Sequence, residues 1–398
     1  LKDLVLGAAL FLVGCVWASP AALEREGVKI NQIQVLGTHN SYAQPADQRL
    51  LAMVDPILQK MLEAAAKNMP PAQRARFEEE HPSGVKLSEG LAYNHPPFEE
   101  QLDAGLRSLE IDVFNDPAGG RFADPAGNRA LRAKGVTEIE PFDPAPLRQP
   151  GFKTLHIADI DFRSHCPLFR QCLQQIKDWS DRHLGHAPIF ILLEAKTDAL
   201  PLLPGAAEVL KFDAAAFDAL DSDILDVIGR DRLIIPDDVR GDHPTLEAAV
   251  RAQAWPTLAA SRGKFVFLLI SAFDKDSTAP YLAGRPNLER RVAFLRAEPG
   301  SPHAAFLLLD NALAQSAEIE RRVREGYLVR TRADIETREA RLNDMGRAAT
   351  AFSSGAQVVS TDFFRRGNAF GTDYFVTLPG GGEFRCNPVN ARPGCEAF

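Results

Sequence analysis

Apolar positions in this chain recur in two rhythms, and their alternation predicts an α/β protein. Ile33 and Val35 alternate with polar neighbours ahead of Leu36, the signature of a buried strand that runs into the polar Gly37-Thr38-His39-Asn40. An amphipathic, Pro-punctuated helical region follows over Ala46–Glu80, with Leu50, Leu51, Val54, Leu58 and Leu62 on one face. Leu91–Leu106 reads as a loop and then a helix, with Phe98, Leu102 and Leu106 at helical spacing. Further strands are predicted at Ser108–Phe114, Thr154–Ile157, Ile189–Lys196, Lys264–Ser271, Ala305–Asn311, Tyr327–Asp334 and Gln357–Phe363. Leu173–His183 and Ile335–Phe352 read as helices, and Asp231–Val239 as an accessory pairing. Asn115–Gly151, rich in Pro, Gly and charge, reads as an insertion over one face.

About eight strands separated by helical segments describe a distorted (β/α)8 TIM barrel in a single domain, closed by a Gly-rich C-terminal extension. The alternative is a doubly wound open sheet. Such a sheet usually has a Gly-rich turn after its first strand, and Gly37-Thr38-His39-Asn40 is not one. A length of 398 residues suits one large barrel or two ordinary domains, and with no internal repeat or low-complexity linker one domain is the economical reading. A net charge of −8 argues against nucleic acid as a partner. No protein partner is indicated.

The first residues carry an export signature. Leu4–Val16 is an unbroken apolar run after Lys2, right for a secretory core and short for a membrane span. Val16-Trp17-Ala18 offers a cleavage site, whereas Leu12-Val13-Gly14-Cys15 offers a lipobox that would anchor the protein through Cys15. Residues 1–22 are therefore expected to be a signal segment and 23–398 the mature domain, periplasmic or extracellular. The other four cysteines form two local pairs, Cys166 with Cys172 and Cys386 with Cys395. Neither has C-x-x-C spacing or a His partner, so disulfides are expected rather than zinc.

Several strands end in polar residues that a buried strand does not need. Period two puts Glu110 and Asp112 on one face of their strand, and Glu194 with Lys196 on one face of another. Two carboxylates facing a barrel interior need a cation, and oxygen donors point to calcium or magnesium. Gathered at one mouth, Asn40, Glu110, Asp112 and Glu194 supply hard oxygen donors. His39 and His156 suit a base and an acid on opposite sides of a reacting centre, and Lys196 and Arg330 suit phosphate oxygens. Asp362, on the strand expected beside the first, is placed to orient His39. Together these residue types suggest phosphodiester cleavage.

The run Asn31–Tyr42 resembles the bacterial calcium-dependent phosphatidylinositol-specific phospholipases C. So do Tyr93-Asn94-His95-Pro96-Pro97 with Gln101–Leu106, Leu109–Val113, Leu155-His156-Ile157 with Asp161-Phe162-Arg163-Ser164, Val329–Asp334 and Val359–Asp362. The resemblance extends from about Asn31 to Asp362. It implies a distorted TIM barrel and calcium-assisted attack of the inositol 2-hydroxyl on phosphorus, yielding diacylglycerol and a cyclic inositol phosphate. It also implies His39 as general base, His156 as general acid, and Asn40, Glu110, Asp112 and Glu194 as calcium ligands. The partner would be a phospholipid or another phosphodiester, with peripheral membrane contact. The sequence shows no clear hydrophobic ridge: Phe363, Phe364, Phe370 and Phe375 are either contact residues or packing between the barrel and its C-terminal extension. His95 is expected to hold its loop. Two alternatives stand beside this reading: a glycerophosphodiester phosphodiesterase acting on soluble diesters, and a non-catalytic binding protein on the same barrel. The first usually has Arg-Gly after the first-strand His, where this chain has Asn40-Ser41.

Overall fold

In the computed structural model, eight parallel strands run in the order β5-β4-β3-β2-β1-β8-β7-β6. The structure describes residues 27–71, 74, 86–271, 275–391 and 395. The expected signal segment, with Cys15, lies outside them. The strands are β1 (Ile33–Thr38), β2 (Ser108–Phe114), β3 (Ile189–Lys196), β4 (Phe265–Ile270), β5 (Ala293–Leu295), β6 (Phe306–Leu308), β7 (Leu328–Arg332) and β8 (Val358–Thr361). β5 and β6 meet through one isolated parallel bridge, Arg296 to Phe306, which nearly closes a barrel. A two-residue strand, β9 (Arg385–Cys386), pairs antiparallel with β1 and seats the C-terminal extension, where Cys386 is bonded to Cys395.

Parallel strands covered on both sides must be apolar nearly throughout, and β4, Phe-Val-Phe-Leu-Leu-Ile, is wholly buried. Helices such as Phe169–Arg182 and Ala214–Ile228 pack outside, the first through Phe169, Cys172, Leu173, Ile176 and Trp179. β1 can lie close against β2 because residue 37 is glycine: a Cβ there would fall 2.3 Å from the Ser108 carbonyl oxygen.

Two strand expectations change. Thr154–Ile157 is not a barrel strand. Asp159 adopts φ +70°, and the chain folds back so that Ile157 and Asp161 pair with each other. The segment hangs from the end of β2 through the Phe114–Lys153 bridge, with the buried Lys153 ammonium 3.4 Å from Asp116. The eighth strand is instead β5, whose three residues carry too short a pattern to be read. A buried cluster fixes it: Tyr281 Oη accepts from Ala293 N at 2.9 Å and donates to Asp221 at 2.9 Å, while Arg291 pairs with Asp218 at 2.6 Å. The remaining predicted strands lie within two to three residues of those observed. The predicted helix over Ile335–Phe352 is two shorter ones, Arg338–Leu342 and Gly346–Ser353. The insertion carries a short helix, Ala126–Ala133.

Candidate functional site

Strand register brings the acidic residues together. β2 and β3 are paired with Asp112 opposite Glu194, so carboxylates far apart in sequence sit side by side at the C-terminal ends of adjacent strands. One oxygen from each of Glu110, Asp112 and Glu194 lies within 4.8 Å of the others, and all three residues are buried. Burial pushes the Glu110 carboxyl up to about 8: Arg330 opposes the shift, and neighbouring Asp112 and Glu194 add to it. Burial also raises Asp112, against the pull of Lys196.

Two cations answer this negative charge. Lys196 Nζ lies 2.8 Å from both Asp112 Oδ2 and Glu194 Oε1. Burial works against its charge, yet these two carboxylates hold its ionisation above the ordinary lysine range. Arg330 donates to Glu110 Oε2 at 2.5 Å and to Asp310 Oδ1 at 2.6 Å. Even so, neither Asp112 oxygen receives a well-directed hydrogen bond, which leaves it short of partners for a buried carboxylate. Asn40 follows His39 in the turn after β1. It sits at φ +48°, a conformation Asn tolerates, and its Nδ2 donates to Tyr93 Oη at 2.7 Å. Three carboxylates, hard and crowded, fit a calcium ion.

His39 stands beside this cluster. Its Nδ1 lies 2.9 Å from Asp362 Oδ1, and its Nε2 lies 3.9 Å from Glu110 Oε1. Asp362 can only accept when ionised, so Nδ1 carries the proton and Nε2 carries the lone pair, with Arg332 Nη1 3.5 Å from it. Burial, then the charges of Arg332 and Arg330, hold His39 well below the usual histidine range, which favours the neutral ring. Asp362 is in turn held by Arg332 Nη2 at 2.8 Å, and its backbone N–H donates to Asp334 Oδ1 at 2.8 Å. Asp334 also accepts from Thr361 Oγ1 and from Tyr374 Oη, the latter at 3.1 Å.

His156 faces His39 across the mouth, with ring centroids 6.4 Å apart and planes at 79°. Its Nδ1 lies 2.9 Å from Asp161 Oδ2. Both imidazoles keep 17% side-chain exposure, so a ligand can reach them. All nine residues singled out in the sequence thus gather at one end of the barrel, although His156 arrives there on a turn rather than a strand. Sequence reasoning did not assign Arg332, Asp334, Asp161 or Tyr93 to the site. Their signal was adjacency to recognised motifs, and each partner becomes visible only once the chain has folded.

The arrangement offers a hard-cation cluster flanked by two histidines, each with a carboxylate behind it, which is equipment for proton transfer on either side of a charged centre. Among solved structures, the calcium-dependent phosphoinositol-specific phospholipase C of a Gram-negative Pseudomonas sp. shares the fold. Its TM-score is 0.51 at 13% identity, over 93% of this chain and 98% of the other. The calcium-dependent phosphatidylinositol-specific phospholipase C of Streptomyces antibioticus matches at 18% identity and TM-score 0.49, over 84% and 95% of the two chains. A sequence comparison with curated proteins finds no match. The family model described as "Phosphoinositide phospholipase C, Ca2+-dependent" matches residues 28–388, nearly the whole described chain. The chain belongs to the calcium-dependent phosphoinositide phospholipase C family, enzymes that cleave phosphodiesters with the help of calcium.

Proposed function

We propose that this protein cleaves phosphatidylinositol-type lipids by attack of the inositol 2-hydroxyl on phosphorus, releasing diacylglycerol and a cyclic inositol phosphate. The observation that carries the proposal is the pair of carboxylate-backed histidines, His39 with Asp362 and His156 with Asp161, facing each other beside the Glu110–Asp112–Glu194 cluster. In this reading His39 Nε2 takes the 2-hydroxyl proton while the oxygen bonds to phosphorus. The phosphorus–glycerol oxygen bond breaks, and His156 Nε2 gives its proton to the departing oxygen. Asp362 fixes the tautomer of the base, and Asp161 fixes the orientation of the acid. Calcium, held by Asn40, Glu110, Asp112 and Glu194, would supply Lewis-acid polarisation and offset charge on the phosphate oxygens. Lys196 and Arg330 are the proposed phosphate-binding cations. Both are paired to the proposed calcium ligands, so engaging a phosphate requires them to loosen from those carboxylates.

Export and peripheral membrane contact belong to the same proposal. Two disulfides support an oxidising compartment. Five of the seven exposed large apolar side chains among the described residues, Ile57, Met61, Leu313, Leu342 and Met345, lie in segments leaving the mouth ends of β1, β6 and β7. These strands bound one sector of the rim; of the phenylalanines after β8, Phe363 is buried and Phe364 and Phe370 pack against the core.

The deciding experiment assays phosphatidylinositol and glycerophosphoinositol, each with calcium and with chelator, and resolves the soluble products by phosphorus NMR. Calcium-dependent cyclic inositol phosphate from the lipid is the expected result. Turnover of the soluble diester alone, straight to a monoester, would replace the proposal.

A further inference from the structure

His95 is buried at 2% exposure, and the reaction as proposed does not use it. Its Nε2 lies 2.8 Å from the carbonyl oxygen of His39. A carbonyl only accepts, so Nε2 carries the proton and Nδ1 is left with a lone pair. That Nδ1 is buried and has no hydrogen-bond partner. An orphaned nitrogen at this depth is a cost that a leucine or phenylalanine would avoid. The chain keeps the donor regardless.

The carbonyl that His95 holds belongs to the peptide joining His39 to Asn40. On one side of this peptide stands the proposed base, and on the other a proposed calcium ligand at φ +48°. Asn tolerates that conformation, and the hydrogen bonds around the peptide fix it there. His39 N donates to Thr361 O at 3.3 Å, and Ala43 N to Asn40 O at 2.8 Å, so the neighbouring groups are tied as well. His95 is itself anchored. Its N–H donates to Ala43 O at 3.0 Å, and its carbonyl accepts from His165 Nε2 at 2.8 Å. His165 precedes Cys166, whose bond to Cys172 closes the loop ahead of helix Phe169–Arg182.

We infer that His95 is a positioning residue whose Nε2–H fixes the His39–Asn40 peptide, so that the base and the calcium-binding amide are set by one hydrogen bond. The roles of His39 and Asn40 rest on the function proposed above. Removing the donor is therefore expected to weaken calcium binding and to lower kcat together, with KM for lipid at saturating calcium little changed.

The test compares His95→Phe, which keeps a ring against Phe364 and Tyr93 but has no donor, with His95→Gln, whose amide restores one. Calcium affinity is measured by calorimetry without lipid, and kcat and KM on phosphatidylinositol vesicles. Losing a hydrogen bond behind metal-ligating groups typically costs about 10–100-fold in affinity or activity, and that is the loss expected for His95→Phe. His95→Gln is expected to recover to within about threefold of wild type. If His95→Phe does not fold, His95→Leu takes its place. The inference is overturned if the donor-less variant keeps both calcium affinity and kcat, or if His95→Gln is as impaired as His95→Phe. Wild type that binds calcium but leaves phosphatidylinositol intact would count against the substrate reading alone, because the calorimetric comparison still reads His95.

Discussion

Arg330 on β7 donates to Glu110 on β2 at 2.5 Å, three strands away around the barrel. Breaking a buried ion pair by removing one partner costs about 3–5 kcal/mol, because the other charge is stranded. Burial already favours the neutral form of Glu110, which can take up a proton once Arg330 is gone, so the lower end of that range is expected for Arg330→Met. Adding Glu110→Gln should recover much of the loss. Chemical denaturation of both variants checks this, and a double variant no more stable than Arg330→Met would show that the pair is not the source.

Asp362 and Asp161 are expected to fail differently. Asp362→Asn removes the group that fixes the His39 tautomer, and comparable losses in base–orienter pairs reach about 10⁴-fold in kcat. It should affect every substrate alike. A rate within about threefold of wild type would dismiss Asp362 as an orienter.

Asp161→Asn should hurt only where the leaving oxygen needs a proton. The expected loss on phosphatidylinositol is about 10²-fold or more, the contribution typical of general acid catalysis. A nitrophenyl inositol phosphodiester, whose leaving group departs without protonation, should lose far less. Equal losses on both substrates would separate Asp161 from the acid.

Acid should destabilise the fold through His186. Burial lowers its pKa to about 4, and its hydrogen bonds suit the neutral ring: Nδ1 donates to Ala187 O, while Nε2 accepts from Ser180 Oγ at 2.6 Å. Between pH 6.5 and about 4 the unfolded chain binds this proton and the folded one does not. Stability from this group therefore falls as pH falls, by about 1 kcal/mol per unit. His186→Asn should flatten the pH dependence of the unfolding free energy by that amount, and an unchanged slope would refute the assignment.

Leu342 and Met345 are 60% and 45% exposed on the segment after β7. Replacing both with Asp is expected to lower activity on phosphatidylinositol vesicles about tenfold or more, since each buried apolar side chain contributes roughly 1.5–3 kcal/mol. Hydrolysis of a soluble inositol phosphodiester should not change. A parallel loss on both substrates would remove these residues from membrane contact.

Legibility in the sequence followed burial. β2 and β3 were readable to the residue because both are fully buried parallel strands, and an apolar run interrupted only by carboxylates fits neither a loop nor an exposed helix. Thr154–Ile157 misled because four alternating residues fit a turn as well as a strand, and Asp159 at positive φ decides for the turn. β5 was hidden because the Tyr281, Asp221 and Arg291 network fixes it, which is tertiary information. Within the site, residue types were legible and pairings were not. Arg330 and Arg332 alternate identically along β7, yet one meets Glu110 and the other Asp362.

The seam between β5 and β6 carries a single bridge between two three-residue strands, and in an eight-stranded ring it lies opposite the β1–β2 junction. Few hydrogen bonds must break there for the wall to part, whereas β2 and β3 are paired along seven residues. Amide hydrogen exchange should accordingly enter the barrel at Ala293–Leu295 and Phe306–Leu308 and reach Glu110, Asp112 and Glu194 last. The wall can part between β5 and β6 while the β2–β3 pair that carries Glu110, Asp112 and Glu194 stays intact.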